Sequence, residues 1–159
     1  AIMFMHLPQR KLLEEALKKI GDISVAKIDF CQRSSKYDAY LAGSLPNIFN
    51  PALETGALMD LGVYCVYPAL YLFGNPQNTL AVSHLLASGA DGSDIVAMQY
   101  PDKLVNLVFS KVGQAGANTD FRAQTALYPW SPSQNSPTSP SVITTAPWRK
   151  FAAKKKNSS

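Results

Sequence analysis

The segment TGALMDLGVYCVYPALYLFG, residues 55–74, decides the fold of this 159-residue chain. Apolar side chains dominate it, and it ends at Gly74, which an Asn-Pro pair follows. A glycine shortly before a proline is typical of a helix C-terminus, so the pattern predicts a helix over 57–73. Asp60 and Tyr64 are four positions apart, and on a regular helix they would lie on one face within reach of a common ligand.

Asp60 and Tyr64 form a candidate catalytic pair. A tyrosine hydroxyl can give a proton to, or take one from, an alcohol or a carbonyl group. A neighbouring carboxylate opposes loss of the tyrosine proton, so such a site also needs a cation that balances the charge. The spacing alone leaves a structural interpretation open, because an aspartate in the first turn stabilises any helix dipole. The same helix also carries two further tyrosines, Tyr67 and Tyr71.

The segments on either side predict one mixed domain. An apolar repeat at helical spacing before Gly21 predicts an amphipathic helix, and residues 23–30 have strand character. Further strands are predicted over 79–86, 94–100 and 103–111, with weaker signals over 118–127 and 1–7. The expected fold class is α+β, a largely antiparallel open sheet with helices packed on one face.

A long polar segment, residues 33–55, precedes the predicted helix. It contains a glycine and two prolines, and it predicts a loop. Loops of this length in compact domains are usually functional or disordered. The residues Asn47, Phe49 and Asn50 lie just before the helix, which favours a functional role.

Residues 55–66, TGALMDLGVYCV, resemble the GGALxDxGxYC segment of the Gfo/Idh/MocA oxidoreductases, particularly the dihydrodiol dehydrogenase and glucose–fructose oxidoreductase branch. The Phe-Gly pair at 73–74 falls where that family ends the same helix. Residues 1–8 resemble the strand that leaves the family's nucleotide-binding domain, 21–30 the first strand of its large sheet, and 94–101 its central strand. The resemblance covers about residues 1–120 and implies the fold of the family's C-terminal domain.

The resemblance implies that Asp60 is the family's substrate-site aspartate and Tyr64 its proton donor. The implied enzyme uses NAD or NADP and acts on a sugar, polyol or diol. In the family a Glu-Lys-Pro motif supplies the balancing lysine and a glycine-rich turn holds the cofactor, and both precede the position of Ala1. Neither motif occurs in these residues. We therefore expect this chain, taken alone, to bind no cofactor tightly and to be inactive.

The alternative function is a binding or dimerisation module without catalytic activity. Large sheets of this family commonly form dimer contacts through an open face, so the resemblance implies a homodimer through the sheet. A sheet face that is left open is also prone to association.

Charge and composition exclude several other classes. The net charge is +4, but residues 1–120 hold nine basic and eleven acidic residues, so no nucleic-acid partner is expected. No metal site is expected, because Cys31 and Cys65 lack metal-ligand spacing and fit buried reduced thiols. The longest apolar run contains Asp60 and Pro68 and is short for a membrane span. We therefore expect no membrane partner and predict a cytoplasmic location.

Composition divides the chain into a substrate and oligomerisation domain fragment, residues 1–128, and a tail, residues 129–159. The tail is rich in serine, proline and lysine and is predicted to be disordered. The sequence departs from the family near Phe121, where a strand and a GTxGTL turn would follow. Permissible codons for residues 121–151, read in the minus-one frame, can restore such a turn. We hypothesise a frameshift near 120–121, and early stop codons in that frame of the gene would refute it.

Overall fold

The computed structural model describes residues 9–114 and 120–123. Its helices are α1 (Gln9–Ile20), α2 (Tyr37–Leu41) and α3 (Val63–Phe73), with short 3-10 turns at Asn47–Phe49 and Pro51–Leu53 and a π-helical turn at Leu58–Gly62. Its strands are β1 (Ile23–Cys31), β2 (Asn78–Leu85), β3 (Asp91–Gln99), β4 (Leu104–Ser110) and β5 (Asp120–Ala123). The predicted strand over 1–7 and the predicted tail over 129–159 lie outside the described residues.

The strands form one sheet in the order β2-β3-β4-β1-β5. The central pair β1 and β4 is parallel, and the other neighbouring pairs are antiparallel. The predicted α+β class with a largely antiparallel sheet is therefore confirmed. The parallel pair aligns the carboxyl ends of β1 and β4 at one edge of the sheet, near the start of α3.

Side-chain alternation gives the sheet a covered face and an open face. Along β4, Val105, Leu107 and Phe109 are fully buried, whereas Leu104 is exposed. The helical residues Leu61, Cys65 and Ala69 pack with these buried strand residues in one core. The α1 helix completes the core, and its contribution comes from the partly buried side chains Leu13 and Leu17.

The helix predicted over 57–73 is not regular throughout. Leu58–Gly62 form a π-helical turn, whose hydrogen bonds join residues i and i+5, and α3 proper begins at Val63. Gly62 lies against β4, where an added Cβ would be only 2.8 Å from the Phe109 ring. The helix predicted over 57–73 is therefore present but contains a π-helical turn at its start, with Asp60 in that turn and Tyr64 in α3.

Two further sequence predictions concern cysteines and membranes. Cys31 and Cys65 are both buried and neither forms a disulfide bond, which confirms the prediction of buried reduced thiols. Burial raises the pKa of the Cys65 thiol well above its ordinary value. Within the part of the chain that is described, no helix has the length and apolar character needed to cross a membrane.

A buried carboxylate, Asp94, lies on the covered face of β3 and is 5% exposed. Among the described residues its Oδ2 atom has no hydrogen-bond partner. Burial raises the pKa of Asp94 from 3.8 to about 6; a hydrogen bond with Ser83 opposes this shift, and the neighbouring Asp91 adds to it. At neutral pH Asp94 is therefore charged, although the fold would be more stable with this carboxyl group protonated.

Asp94 gives a testable pH dependence of stability. Because its pKa is higher in the folded protein than in the unfolded chain, the folded state binds more protons between about pH 4 and pH 6. The free energy of unfolding should fall as the pH rises through this window, by roughly 1–3 kcal/mol. Asp94→Asn should remove this component and stabilise the fold above pH 6, as measured by urea denaturation from pH 4 to pH 8.

The matched control is Asp22→Asn, because Asp22 is an exposed carboxylate between α1 and β1. This change should leave the slope between pH 4 and pH 6 as it is in the parent chain. An unchanged slope in Asp94→Asn would contradict the assignment.

Candidate active site

The candidate site lies where the helical segment approaches the sheet. The carboxylate of Asp91, at the start of β3, accepts a hydrogen bond from the Leu58 backbone N–H at 2.6 Å. It therefore caps the beginning of the helical segment, where unpaired N–H groups and a positive dipole end favour an anion. Gly56 permits this approach, because a Cβ at that position would overlap the Asp91 carboxylate. The strand thus fixes where the helical segment begins.

An ion pair with one buried partner joins this helical segment to the end of β4. The Nζ atom of Lys111, which directly follows β4, lies 3.1 Å from Oδ2 of Asp60 in the π-helical turn. The two partners differ greatly in exposure, since the side chain of Lys111 is 1% exposed and that of Asp60 is 59% exposed. Asp60 therefore has one carboxylate oxygen on a buried cation while much of its side chain faces solvent.

The segment before the helix lies beside this pair, and its residues 48–50 are called the wall of the site below. Phe49 is fully buried, and its ring lies 5.8 Å from the Tyr37 ring and 5.1 Å from the Tyr40 ring. The Tyr40 hydroxyl accepts a hydrogen bond from the Ser88 N–H at 3.0 Å. The prediction of a plain loop over 33–55 is therefore wrong in part, because aromatic packing folds this segment onto the end of the sheet.

Tyr64 lies in the first turn of α3. It is half-buried, and its ring packs against Phe30 of β1 with 5.5 Å between ring centroids. Its hydroxyl makes no hydrogen bond to any described residue, and it does not bond Asp60 directly. By contrast, the Tyr71 hydroxyl on the same helix donates to Glu14 at 2.8 Å. The two hydroxyl groups therefore differ, since that of Tyr71 has a partner among the described residues and that of Tyr64 has none.

Lys111 is the site residue that the sequence prediction did not include. The pattern does carry a signal, because Lys111 continues the alternation of the buried side chains Val105, Leu107 and Phe109. A lysine on the buried face of a strand requires a partner for its charge. The structure thus supplies from within this chain a cation beside Asp60.

The chemical capacity of the site follows from these three groups. The exposed carboxylate of Asp60 can accept a hydrogen bond from a ligand hydroxyl, and the Lys111 ammonium balances its charge. Tyr64 can exchange a proton with a bound alcohol or carbonyl. Among the described residues there is no cluster of three or more metal-ligating side chains.

Comparison with protein families gives one match that covers most of the chain. The model described as the GFO/IDH/MocA C-terminal domain matches residues 10–125. The match includes Asp60, Tyr64 and Lys111.

Similar sequences occur in oxidoreductases. The chain is 45% identical over 118 residues to the uncharacterised oxidoreductase YgjR of Escherichia coli, covering 74% of this chain and 36% of that protein. It is 40% identical over 124 residues to scyllo-inositol 2-dehydrogenase (NADP(+)) IolU of Bacillus subtilis, covering 78% and 38%. It is 30% identical over 105 residues to trans-1,2-dihydrobenzene-1,2-diol dehydrogenase of Mus musculus, covering 64% and 29%. The chain thus spans only 29–38% of these relatives' lengths.

Solved structures share the fold at lower sequence identity. The 3-ketoreductase KijD10 of Actinomadura kijaniata, in complex with NADP and TDP-benzene, matches with a TM-score of 0.65 and 23% identity. The match covers 77% of this chain and 37% of that protein. At this identity the similarity supports the fold alone.

Proposed function

Because the chain belongs to the GFO/IDH/MocA family as its C-terminal domain, we propose that it is the substrate-binding and catalytic-helix half of an NAD(P)-dependent oxidoreductase. The proposed reaction interconverts the CH–OH group of a sugar, polyol or diol with a carbonyl group. The observation that carries the proposal is the Asp60–Lys111 pair, beside the helix that presents the Tyr64 hydroxyl. The proposal places the enzyme in the cytoplasm.

In this proposal each site residue has a separate role. Tyr64 donates its hydroxyl proton to the substrate carbonyl oxygen in the reductive direction and takes the proton back in oxidation. Asp60 accepts a hydrogen bond that orients the substrate beside Tyr64. Lys111 balances the Asp60 charge, which would otherwise oppose deprotonation of Tyr64 in the oxidative direction.

The nicotinamide cofactor would supply or accept the hydride. Residues 9–114 contain no glycine-rich turn between a strand and a helix, which is the usual binding site for the pyrophosphate of such a cofactor. We therefore propose that tight cofactor binding requires a second domain, and that the isolated chain is inactive.

The names of the relatives support the substrate class. IolU is named for the oxidation of an inositol with NADP(+), and the mouse relative for that of a dihydrodiol. Both substrates carry secondary alcohols on a six-membered ring, so a cyclic polyol or diol is the class we propose for this chain. A ligand with adjacent hydroxyl groups could use one on Tyr64 and the next on Asp60.

The experiment that tests this function is a hybrid enzyme, in which residues 10–120 of this chain replace the segment of IolU that they match. We expect NADP-dependent oxidation of a cyclic polyol or diol, measured as NADPH formation. The isolated 159-residue chain should show no NADPH binding at micromolar concentration by fluorescence. A hybrid that binds NADPH but turns over no sugar, polyol or diol would contradict the proposal.

A second candidate function is a dimerisation module. The large apolar side chains on the open face of the sheet are 52–69% exposed, and they are Leu80, Val82, Ile95 and Leu104. Exposed apolar patches of this kind mark contact surfaces, and we propose that a second copy covers this one. Light scattering should give a dimer for the parent chain and a monomer for Val82→Glu. A monomeric parent chain would contradict dimerisation.

A further inference from the structure

Burial of the Lys111 side chain carries a large desolvation penalty. Its side chain is 1% exposed, and it follows the apolar residues Leu107 and Phe109 on the covered face of the sheet. Removal of an ammonium group from water is unfavourable unless other groups compensate for its lost hydration. An apolar side chain of similar length would avoid this cost. The contacts of the ammonium group are therefore the feature that the position must explain.

The ammonium group of Lys111 contacts two separate segments. On the helical side it lies 3.1 Å from the Asp60 carboxylate. On the side of the wall it donates to the Ile48 carbonyl oxygen at 3.4 Å and lies 5.6 Å from the centre of the Phe49 ring. A carbonyl oxygen and an aromatic face are both partners that favour a cation. One charge therefore links the helical segment to the segment that precedes it.

The backbone of Lys111 is itself held in place. Its N–H donates to the Gly92 carbonyl oxygen at 2.9 Å, and its carbonyl oxygen accepts from the Ser34 N–H at 2.7 Å. These bonds tie the residue to the start of β3 and to the end of β1. The ammonium group is thus presented from a backbone that is hydrogen-bonded at the end of the sheet.

The geometry points to Lys111 as a positioning residue that fixes the Asp60 carboxylate and the Ile48–Phe49 segment as the two sides of one substrate site. The inference rests on the proposed function for the role of Asp60, and it adds that the wall is part of the site. Lys111 contacts Oδ2 of Asp60, which leaves Oδ1 for a substrate hydroxyl. Lys111 itself is too deeply buried to touch the substrate.

The first test is spectroscopic and uses the full 159-residue chain. Exposed lysine ammonium protons exchange quickly with water, whereas those of a buried, paired ammonium are protected. When the lysines of the chain are labelled with nitrogen-15, the NMR signal of the Lys111 ammonium group should therefore be visible in the parent chain. Asp60→Asn should speed its exchange at least about tenfold, the effect of losing one charged hydrogen bond. Asp60→Glu should restore much of the protection.

The second test asks whether the cation holds the wall. The amides of Phe49 and Asn50 donate to Pro46 and Asn47, so their hydrogen exchange reports on that segment. Lys111→Met should speed their exchange at least about tenfold. The Leu107 amide of β4 should keep its parent rate, which separates a local effect from global unfolding.

The matched control is Lys103→Met. Lys103 precedes β4, whereas Lys111 follows it, and its Nζ atom lies near the Phe73 and Tyr100 rings. This change should leave the exchange of the Lys111 ammonium, Phe49 and Asn50 as in the parent chain.

The outcomes separate positioning from function. Unchanged Lys111 ammonium exchange in Asp60→Asn, or unchanged wall exchange in Lys111→Met, would overturn the positioning role. Neither measurement needs turnover, so an inactive hybrid enzyme would count against the proposed function and leave this inference standing. If Lys111→Met does not fold, the Asp60→Asn measurement still decides the inference.

Discussion

Replacement of Tyr64 by phenylalanine in the hybrid enzyme is expected to lower kcat by roughly 10²–10⁴-fold, which is the usual contribution of a positioned proton donor. The change removes one hydroxyl group that makes no hydrogen bond to the described residues, so stability should change little. Its ring remains against Phe30 and keeps the packing of α3. The measurement is the steady-state rate of NADPH formation with a saturating polyol or diol, together with the melting temperature.

Tyr67→Phe is the matched control for this prediction. Tyr67 lies on the same helix and is also half-buried, and its hydroxyl has no hydrogen-bond partner among the described residues. This variant should retain a kcat close to that of the parent hybrid. Equal losses in Tyr64→Phe and Tyr67→Phe would show that the effect comes from the helix and not from a proton donor. An active Tyr64→Phe enzyme would remove Tyr64 from the proposed chemistry.

Most of the fold could be predicted from local patterns. The alternation along 103–111 and the apolar run over 57–73 are set by neighbouring residues, so each element is recognisable on its own. The weaker signal over 118–127 also corresponds to a strand, β5, over Asp120–Ala123. The parallel pairing of β1 with β4 could not be obtained in this way, because it depends on how distant segments pack.

The irregular start of α3 escaped the sequence patterns for a similar reason. The i→i+5 turn over Leu58–Gly62 contains the same residue types that an α-helix would contain. Its surroundings are set by tertiary contacts, namely the Asp91 cap on Leu58 and the Phe109 ring against Gly62. Those partners come from β3 and β4, so a window of neighbouring residues carries no information about them.

The candidate site was predictable in part. Asp60 and Tyr64 follow from chemistry, spacing and resemblance, and the need for a cation follows from charge balance. The cation itself, Lys111, could be suspected because it continues the alternation of the buried side chains of β4. Its pairing with Asp60 could not, because that contact depends on the position of the helical segment over the sheet.

The segment over 33–55 shows how polar composition can hide a folded element. It contains three aromatic residues, and Tyr37 and Tyr40 are at helical spacing, but Phe49 lies nine positions after Tyr40 and belongs to no common repeat with them. They meet in the folded chain, where the segment after α2, ending in the 3-10 turn Asn47–Phe49, places the Phe49 ring against Tyr37 and Tyr40. The free energy of unfolding of a variant can therefore show whether this aromatic cluster stabilises the segment.

Phe49→Ala is expected to lower the free energy of unfolding by roughly 3–5 kcal/mol, the usual cost of removing a buried aromatic side chain. The Phe49 ring is fully buried, and it contacts Tyr37, Tyr40 and the ammonium group of Lys111. Small domains have only about 5–15 kcal/mol of stability, so the loss would be a large share of the total. Urea denaturation measures it, and Phe49→Leu provides a milder variant if the alanine variant does not fold.

Leu53→Ala is the control within the same segment, because Leu53 is 52% exposed and should cost little. The comparison also bears on the site. If Phe49→Ala costs no more than Leu53→Ala, the aromatic cluster does not anchor the wall, and Lys111 would have only Asp60 to hold. The other outcome has two parts: Phe49→Ala lowers the free energy of unfolding strongly, and Phe49→Leu speeds hydrogen exchange of the Asn50 amide without changing that of the Leu107 amide. This result would show that the wall opens independently of the sheet and that the Phe49 ring holds it in place. The stability of the segment and the geometry of the site would then depend on the same side chain.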